Sequence, residues 1–304
     1  MRAAFFGTPE AAVPSLAALA DVADVELVVT RPDARRGRTR DKTAPAVKAA
    51  AIAWGFPVLQ PLDHDAMLRA LAPLRLDIAV VVAFGRILRP ELLAATRLGF
   101  LNVHFSLLPR WRGAAPVERA ILAGDASTGV SLMQIDAGLD TGPVIAVIET
   151  PIADDETGGS LTARLSHLGA LLIDDALPGY AAGGIQPAPQ MEAGASRANP
   201  LTVAEARIDA AVDADTAERM VRAFTPRPGA WLVADGHRLK VWKAAVSATP
   251  VTPNRIEIVG GIPAAGLSRG SLELLAVQAP GKAMISGIEW ANGRRGRPAT
   301  MEPA

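Results

Sequence analysis

The sequence predicts an open, mostly parallel α/β sheet with flanking helices, followed by a small antiparallel β-barrel. Three observations carry this reading. Apolar strand-like runs alternate with helical patterns from Ala3 to Tyr180; a stretch rich in Gly, Pro, Ala and Ser then interrupts the pattern from Gly183 to about Leu201; beyond it come several short strand-like runs separated by Gly, Asp and Pro. Strands alternating with helices call for right-handed crossovers between parallel strands, and such sheets place their sites off the carboxyl ends of the strands. Closely spaced short strands with turn signals suit a barrel.

Taken in order, Ala3–Phe6 reads as a buried strand turning through Gly7-Thr8-Pro9 into the apolar helix pattern of Ala11–Ala20. Val25–Thr30 is a second strand, Pro45–Trp54 a helix, Val58–Gln60 a short strand, and Asp77–Phe84 a strand built on five consecutive apolar residues from Ile78 to Val82. Leu98–His104, Gly129–Asp136 and Val144–Glu149 continue the strand series, and Leu161–Tyr180 is the next long helical pattern. After the Gly/Pro-rich stretch, a helix at Ala214–Ala223 leads to strand-like runs at Ala230–Val233, Leu239–Trp242, Ile256–Val259 and Leu272–Val277. This organisation divides the chain into a first domain at 1–185, a linker at 186–204 and a second domain at 205–304.

Composition narrows the chemistry. The 304 residues, half of them hydrophobic, suffice for two domains that each bury a core. Formal charge sums to zero, but residues 1–218 carry net −7 and residues 219–304 net +7. Such asymmetry marks either a polyanion-binding end or merely a basic solvated surface. The absence of cysteine removes disulfides, thiolate catalysis and cysteine-based metal sites together. Neither a signal peptide nor a run of about 18 apolar residues is present, so a soluble cytoplasmic protein is expected.

Only four histidines exist, and His104 ends a buried strand. In Leu101-Asn102-Val103-His104 the two-residue pleat sends Asn102 and His104 to the same side. Such a pair serves either as a hydrogen-bonded structural unit or as a catalytic one. The loop Asp136-Ala137-Gly138-Leu139-Asp140-Thr141-Gly142-Pro143 offers carboxylates: it is either only a turn or the source of an acid beside His104. An amide, an imidazole and a carboxylate form a minimal kit for acyl transfer, with donors for an oxyanion and a carrier for a proton. Arg31–Lys48 carries seven basic and two acidic residues, net +5, at the carboxyl end of the second strand. A run like this is commonly a solvated loop, but at a ligand-facing edge it suits a phosphate backbone. No Gly-x-Gly-x-x-Gly follows the first strand, which weakens a nicotinamide-binding reading.

Asn102-x-His104, then Ser106-Leu107-Leu108-Pro109, then Asp136-x-Gly138-x-Asp140-x-Gly142 resembles the signature of the 10-formyltetrahydrofolate-dependent formyltransferases and hydrolases. The fuller form Ser106–Pro116, with Phe6–Glu10, Arg31-Pro32-Asp33, Glu205–Asp209 and Arg222–Pro226, looks like the branch of that family whose acceptor is initiator methionyl-tRNA. The resemblance spans nearly the whole chain. It implies a Rossmann-like catalytic domain with an OB-like, tRNA-binding C-terminal domain, and formyl transfer from 10-formyltetrahydrofolate to the α-amine of methionyl-tRNA without a metal. It implies that Asn102, His104 and Asp140 are catalytic. It implies a folate site at Val82, Phe84, Gly85, Ile87, Leu88, Ser106, Leu107, Leu108, Pro109, Asp136, Gly138 and Leu139. It also implies a tRNA-contacting loop at Arg35, Arg36, Arg38, Arg40 and Lys42, in an enzyme expected to be monomeric. Phe105 departs from the small residue usual at its position, which bears on the shape of the pocket mouth; Ala198–Leu201 lacks a common lysine, and Ala210 replaces a frequent tryptophan. Glycinamide-ribonucleotide formyltransferases and formyltetrahydrofolate hydrolases share the Asn–His–Asp set, but the former generally stop after one domain. A non-catalytic RNA-binding protein on a retired enzyme scaffold would have no need of all three residues in order.

Overall fold

The computed structural model describes residues 1–35 and 42–303. Their contacts divide the chain into two compact units: Met1–Pro116, Ser127–Pro151 and Thr162–Ala198 form the first, and Val117–Ala126, Ile152–Leu161 and the chain from Asn199 onward form the second. Residues 188–198, in the stretch whose composition suggests a linker, run back along the first unit. Ala188 bridges Val144, and Arg197–Ala198 pairs in parallel with Arg112–Gly113.

The first unit is built on a seven-stranded sheet. Its elements are β1 (Arg2–Gly7), α1 (Val13–Val22), β2 (Asp24–Val29), α2 (Ala46–Ala53), β3 (Val58–Leu59), α3 (His64–Leu71), β4 (Ile78–Val82), β5 (Phe100–His104), β6 (Ser127–Gln134), β7 (Val144–Pro151) and the long helix α4 (Gly158–Ala181). The strand order is β7-β6-β5-β4-β1-β2-β3. The five strands from β5 to β3 are parallel, as strand–helix alternation requires. At the other edge β6 runs antiparallel to β5, and β7 antiparallel to β6. The β6–β7 connection, residues 135–143, holds no helix, so β7 returns as a hairpin partner instead of by crossover. Chain order reverses at β1, which lies between β2 and β4, and a crevice opens beyond the carboxyl ends of the strands at such a switch point.

One face of the sheet buries Ala4, Phe6, Leu27, Val29, Ala79, Val81 and Phe100 with Met67 and Leu71 of α3. The Phe6 ring lies 5.4 Å from Phe84, edge-on, and 5.3 Å from Phe100. Burying each such ring is worth about 1.5–3 kcal/mol. Helix α3 starts where the Asp63 side chain accepts from Ala66 N at 2.7 Å. On the opposite face α4 passes so close to β5 that a Cβ at Gly169 would stand 2.8 Å from Val103 Cγ1. The chain's single tyrosine, Tyr180, ties the far end of α4 to the sheet: its hydroxyl donates to Leu98 O at 2.8 Å and accepts from Gln134 at 2.7 Å.

The second unit is an antiparallel sheet closed nearly into a barrel. It contains α5 (Ala214–Ala223), β8 (Ala230–Ala234), β9 (His237–Ser247), β10 (Arg255–Val259), β11 (Ile262–Gly266), β12 (Ser271–Gln278), α6 (Gly287–Gly293) and β13 (Ala299–Thr300). The order is β8-β9-β12-β11-β10-β13, and a bridge from Met301 to Ala234 returns the last strand to the first. Asp235-Gly236, both at positive φ, makes the tight turn from β8 to β9 that right-twisted strands favour. Ile208, Phe224, Leu232, Val241, Ile256, Leu272 and Met301 belong to its core. Among the described residues no helix is long and apolar enough to cross a membrane.

Candidate active site

The chemistry-bearing residues converge at the carboxyl end of β5. Because Phe100 faces α3, the pleat sends Asn102 and His104 out on that same side, and the tips of the β6–β7 loop and the Arg112–Gly113 strand meet them there. Asn102 Nδ2 donates to Asp140 Oδ1 at 3.3 Å. Gly113 N donates to Asp140 Oδ2 at 2.9 Å. His104 is 95% buried, and its Nδ1 stands 3.8 Å from Asp140 Oδ2, outside hydrogen-bond range.

The tautomer of His104 follows from its other nitrogen. Nε2 lies 2.9 Å from Trp111 O, and a carbonyl oxygen only accepts, so Nε2 carries the hydrogen. In the neutral ring Nδ1 is therefore an open acceptor facing the space beside Asp140. Once protonated, it becomes a donor whose charge the carboxyl group stabilises. Asn102 keeps a second amide hydrogen beyond the one given to Asp140. An amide donor and an imidazole on either side of one carboxyl can hold an oxyanion and pass a proton.

The scaffold of the site is made by hydrogen bonds in the Ser106–Gly113 turn. Ser106 is fully buried, and its hydroxyl donates to Arg110 O at 2.6 Å while Ser131 Oγ donates to its carbonyl at 2.7 Å. Leu108 N donates to Ser131 Oγ at 3.1 Å, and Trp111 N to Ser196 Oγ at 2.9 Å. The Arg110 guanidinium lies 4.6 Å from the centre of the Trp111 ring. Gly113 has φ +128, and a Cβ there would stand 2.6 Å from Ala198 O. Only glycine lets this backbone approach both Ala198 and the Asp140 carboxyl.

Of the expected folate-site residues, Val82, Phe84, Leu88 and Ser106 are buried; Leu107, Leu108 and Pro109 are partly exposed; Gly85, Ile87, Asp136, Gly138 and Leu139 are exposed. Ile87 and Leu139 are large apolar side chains 83% and 58% exposed. A surface cavity of about 500 Å³ lined by Leu62, His64, Arg86, Ile87 and Arg89 opens beside the Val82–Leu88 loop. Asp136 accepts from Gly138 N and Thr141 Oγ1, which folds the loop tip back on itself. Phe105 projects to the other side of β5 from His104, where its ring is 3.6 Å from the position a Gly169 Cβ would take. The room left by Gly169 takes up the larger side chain on the helix side of the sheet, away from Asn102 and His104.

Arg35 and Lys42 are exposed and belong to the two-residue pairing Ala34–Arg35 with Lys42–Thr43. Arg36, Arg38 and Arg40 lie outside the described residues. The base of the loop is pinned where Lys48 Nζ meets Asp33 at 2.8 Å and Gln60 Nε2 donates to both Asp33 and Arg31 O. These bonds, Lys48 first, hold the Asp33 carboxyl below its ordinary range.

Sequence reasoning missed Gln190 and the part of Arg112. Gln190 Nε2 donates to Asp140 O at 2.9 Å and Gly142 O at 2.8 Å, and its Oε1 accepts from Arg112 Nε at 2.9 Å. A glutamine in a Gly/Pro-rich stretch carries no periodic signal; the Arg112–Gly113 pairing with Arg197–Ala198 is what shows that this stretch returns to the site.

Comparison with known proteins gives a consistent result. Residues 1–177 match the family model described as formyl transferase, and residues 200–295 the one described as formyl transferase, C-terminal domain. The methionyl-tRNA formyltransferase of Myxococcus xanthus is 43% identical over an alignment of 313 positions, covering 99% of this chain and 97% of that protein. That of Stenotrophomonas maltophilia is 45% identical over 306, covering 97% and 98%. Among solved structures, an N-formyltransferase from Helicobacter canadensis in complex with folinic acid and dTDP-3-aminofucose aligns with TM-score 0.70 at 18% identity, over 91% of this chain and 98% of that one. HypX from Aquifex aeolicus in complex with tetrahydrofolic acid aligns with TM-score 0.66 at 17% identity, over 96% of this chain and 47% of that one. At such identities the two structures speak for the fold.

Proposed function

This chain belongs to the formyl transferase family, and on that premise we propose that it moves the formyl group of 10-formyltetrahydrofolate onto the α-amine of methionyl-tRNA, yielding formylmethionyl-tRNA for translation initiation. The observation that carries the reading is the meeting of Asn102, His104 and Asp140 at the carboxyl end of β5, in a chain that aligns nearly end to end with methionyl-tRNA formyltransferases. For the folate cosubstrate the reading uses Ile87 and Leu139, whose exposed apolar side chains suit the faces of a flat ring.

In this reading the neutral amine of the methionyl ester attacks the formyl carbon, forming a new C–N bond and a tetrahedral oxyanion. Asn102 Nδ2 donates its free hydrogen to that oxygen, and the protonated Nδ1 of His104 donates beside it. The bond from the formyl carbon to N10 of the folate then breaks, and the proton lost by the amine ends on N10. Asp140 stabilises the charged imidazole and relays the proton. The chemistry calls for no metal. Residues 1–185 would carry these steps and residues 205–304 the tRNA, with the basic Arg35–Lys42 loop as a second tRNA contact, in a monomeric cytoplasmic enzyme. The test is incubation with methionyl-tRNA and 10-formyltetrahydrofolate followed by mass analysis of the released aminoacyl group. Formylmethionine is expected; unmodified methionine, with the folate either untouched or merely hydrolysed, would overturn the reading.

A further inference from the structure

We infer that Gln190 is a positioning residue for formyl transfer, acting through the backbone of Asp140; this rests on the reading of Asp140 as a catalytic group. Asp140 has φ +53, in the left-handed region. That conformation is uncommon for a residue with a side chain and persists where the surroundings hold it. Gln190 supplies that hold. Its amide nitrogen has two hydrogens and gives one to Asp140 O and one to Gly142 O, spanning the bend.

The orientation of the amide is itself fixed. Its oxygen accepts from Arg112 Nε, so a flipped amide would set oxygen against two carbonyls and nitrogen against a guanidinium. Arg112 is 91% buried, its backbone N donates to Ser196 O at 2.9 Å, and its Nη1 pairs with Glu192 at 3.1 Å. The next residue, Gly113, holds the Asp140 carboxyl directly. Adjacent positions on one short strand thus grip Asp140 twice, Gly113 at the carboxyl and Arg112, through Gln190, at the carbonyl. The carboxyl is aimed at Asn102 and His104 because both ends of the residue are fixed from the same place.

The plain alternative is that Gln190 only satisfies buried polar groups. Gln190→Glu keeps an acceptor for Arg112 but puts a carboxylate where two carbonyls need a donor, and the two roles are separated by turnover per folded site and by coupling to Asp140. The full-length enzyme, Gln190→Glu, Gln190→Met, Asp140→Asn and the Gln190→Glu/Asp140→Asn double variant are compared in formylation of methionyl-tRNA, with turnover expressed per folate-binding site so that unfolded protein does not count. Misplacing a reacting group by about 1 Å costs on the order of 100-fold, so both Gln190 variants are expected to lose roughly 10- to 100-fold in kcat with little change in either KM. In the Asp140→Asn background the Gln190→Glu change is expected to cost little more, because the route through Asp140 is already gone. Near-normal kcat in Gln190→Glu beside an impaired Asp140→Asn overturns the inference, as does full additivity in the double variant. Normal turnover in Asp140→Asn overturns the reading of the site itself, and the inference with it.

Discussion

His104 Nδ1 stands 3.8 Å from Asp140 Oδ2, while that same carboxyl oxygen accepts a 2.9 Å hydrogen bond from Gly113 N. The carboxyl is thus anchored by the backbone and not by the imidazole, which leaves Nδ1 free to exchange a proton with a reacting group. Asp140→Asn keeps the shape of the side chain but removes the negative charge that would stabilise a protonated His104. Asn102→Ala removes a donor outright, and an oxyanion donor is worth about 3–4 kcal/mol, or roughly 10²–10³ in rate. Both variants, and His104→Ala, are expected to bind folate and melt near the parent temperature while losing turnover on that scale. A folded Asp140→Asn enzyme with parental single-turnover rates would remove Asp140 from the chemistry.

The basic loop is expected to serve tRNA and not folate. Its base is fixed by the Asp33–Lys48 pair and Gln60, and Arg35 and Lys42 are exposed where the pairing ends. Changing Arg36, Arg38, Arg40 and Lys42 together to Gln should raise the tRNA concentration needed for half-maximal rate and leave folate affinity unchanged. Steady-state kinetics with each substrate varied in turn decides it: a loss confined to folate would assign the loop to the other partner.

Asp235 supports the closure of the barrel at its turn. Its Oδ1 accepts from Thr300 N at 2.7 Å and its other oxygen pairs with Arg294, and these contacts, the Thr300 bond first, lower its pKa. A carboxyl whose folded pKa is depressed adds stability above its unfolded value, near 3.9, and loses it as pH falls through the lower folded value. Asp235→Asn should therefore melt a few degrees below the parent at neutral pH, and the difference should shrink steadily below about pH 4. Thermal melts across that window test it; a gap independent of pH would mean that the ionised carboxylate is not what closes the turn.

Much of this was legible from local pattern. Buried strands such as Ile78–Val82 announce themselves as apolar runs, and the side-by-side emergence of Asn102 and His104 follows from the pleat alone. The antiparallel edge was less legible, because the apolar runs of β6 and β7 look the same in either direction and only the loop between them sets it. Helix α6 was missed although Ser286 and Glu289 form a capping box, a four-residue signal present in the sequence. Strand β11 was missed because Ile262-Pro263-Ala264-Ala265-Gly266 offers little β-propensity, and its pairing is imposed by β10 and β12 on either side. The grip of Gln190 on Asp140 depends on contacts 50 residues apart in the chain, which composition cannot express.

The charge asymmetry of the chain leads to a salt-dependence that separates tRNA recognition from catalysis. Residues 219–304 carry net +7 against net −7 for the remainder, so apart from its basic Arg31–Lys48 segment the chain before Arg219 opposes a polyanion and the basic end is expected to supply most of the long-range attraction. Lys243, Lys282, Arg295 and Arg297 are exposed there, and no hydrogen bond or ion pair of the described structure engages their side chains. Each phosphate neutralised by such a cation releases condensed counterions, giving a slope in log affinity against log salt of roughly −0.7 to −0.9 per phosphate. Replacing these four by Gln should flatten the slope for tRNA by about one unit for each phosphate no longer neutralised, and weaken binding most at low salt. Folate binding should be unaffected, because the neutral replacements leave the site at β5 intact. Titrations of tRNA at several salt concentrations, with folate binding as the control, give the answer. Equal affinities and equal slopes would remove these four cations from recognition and leave the Arg35–Lys42 loop as the first candidate for the phosphate contact.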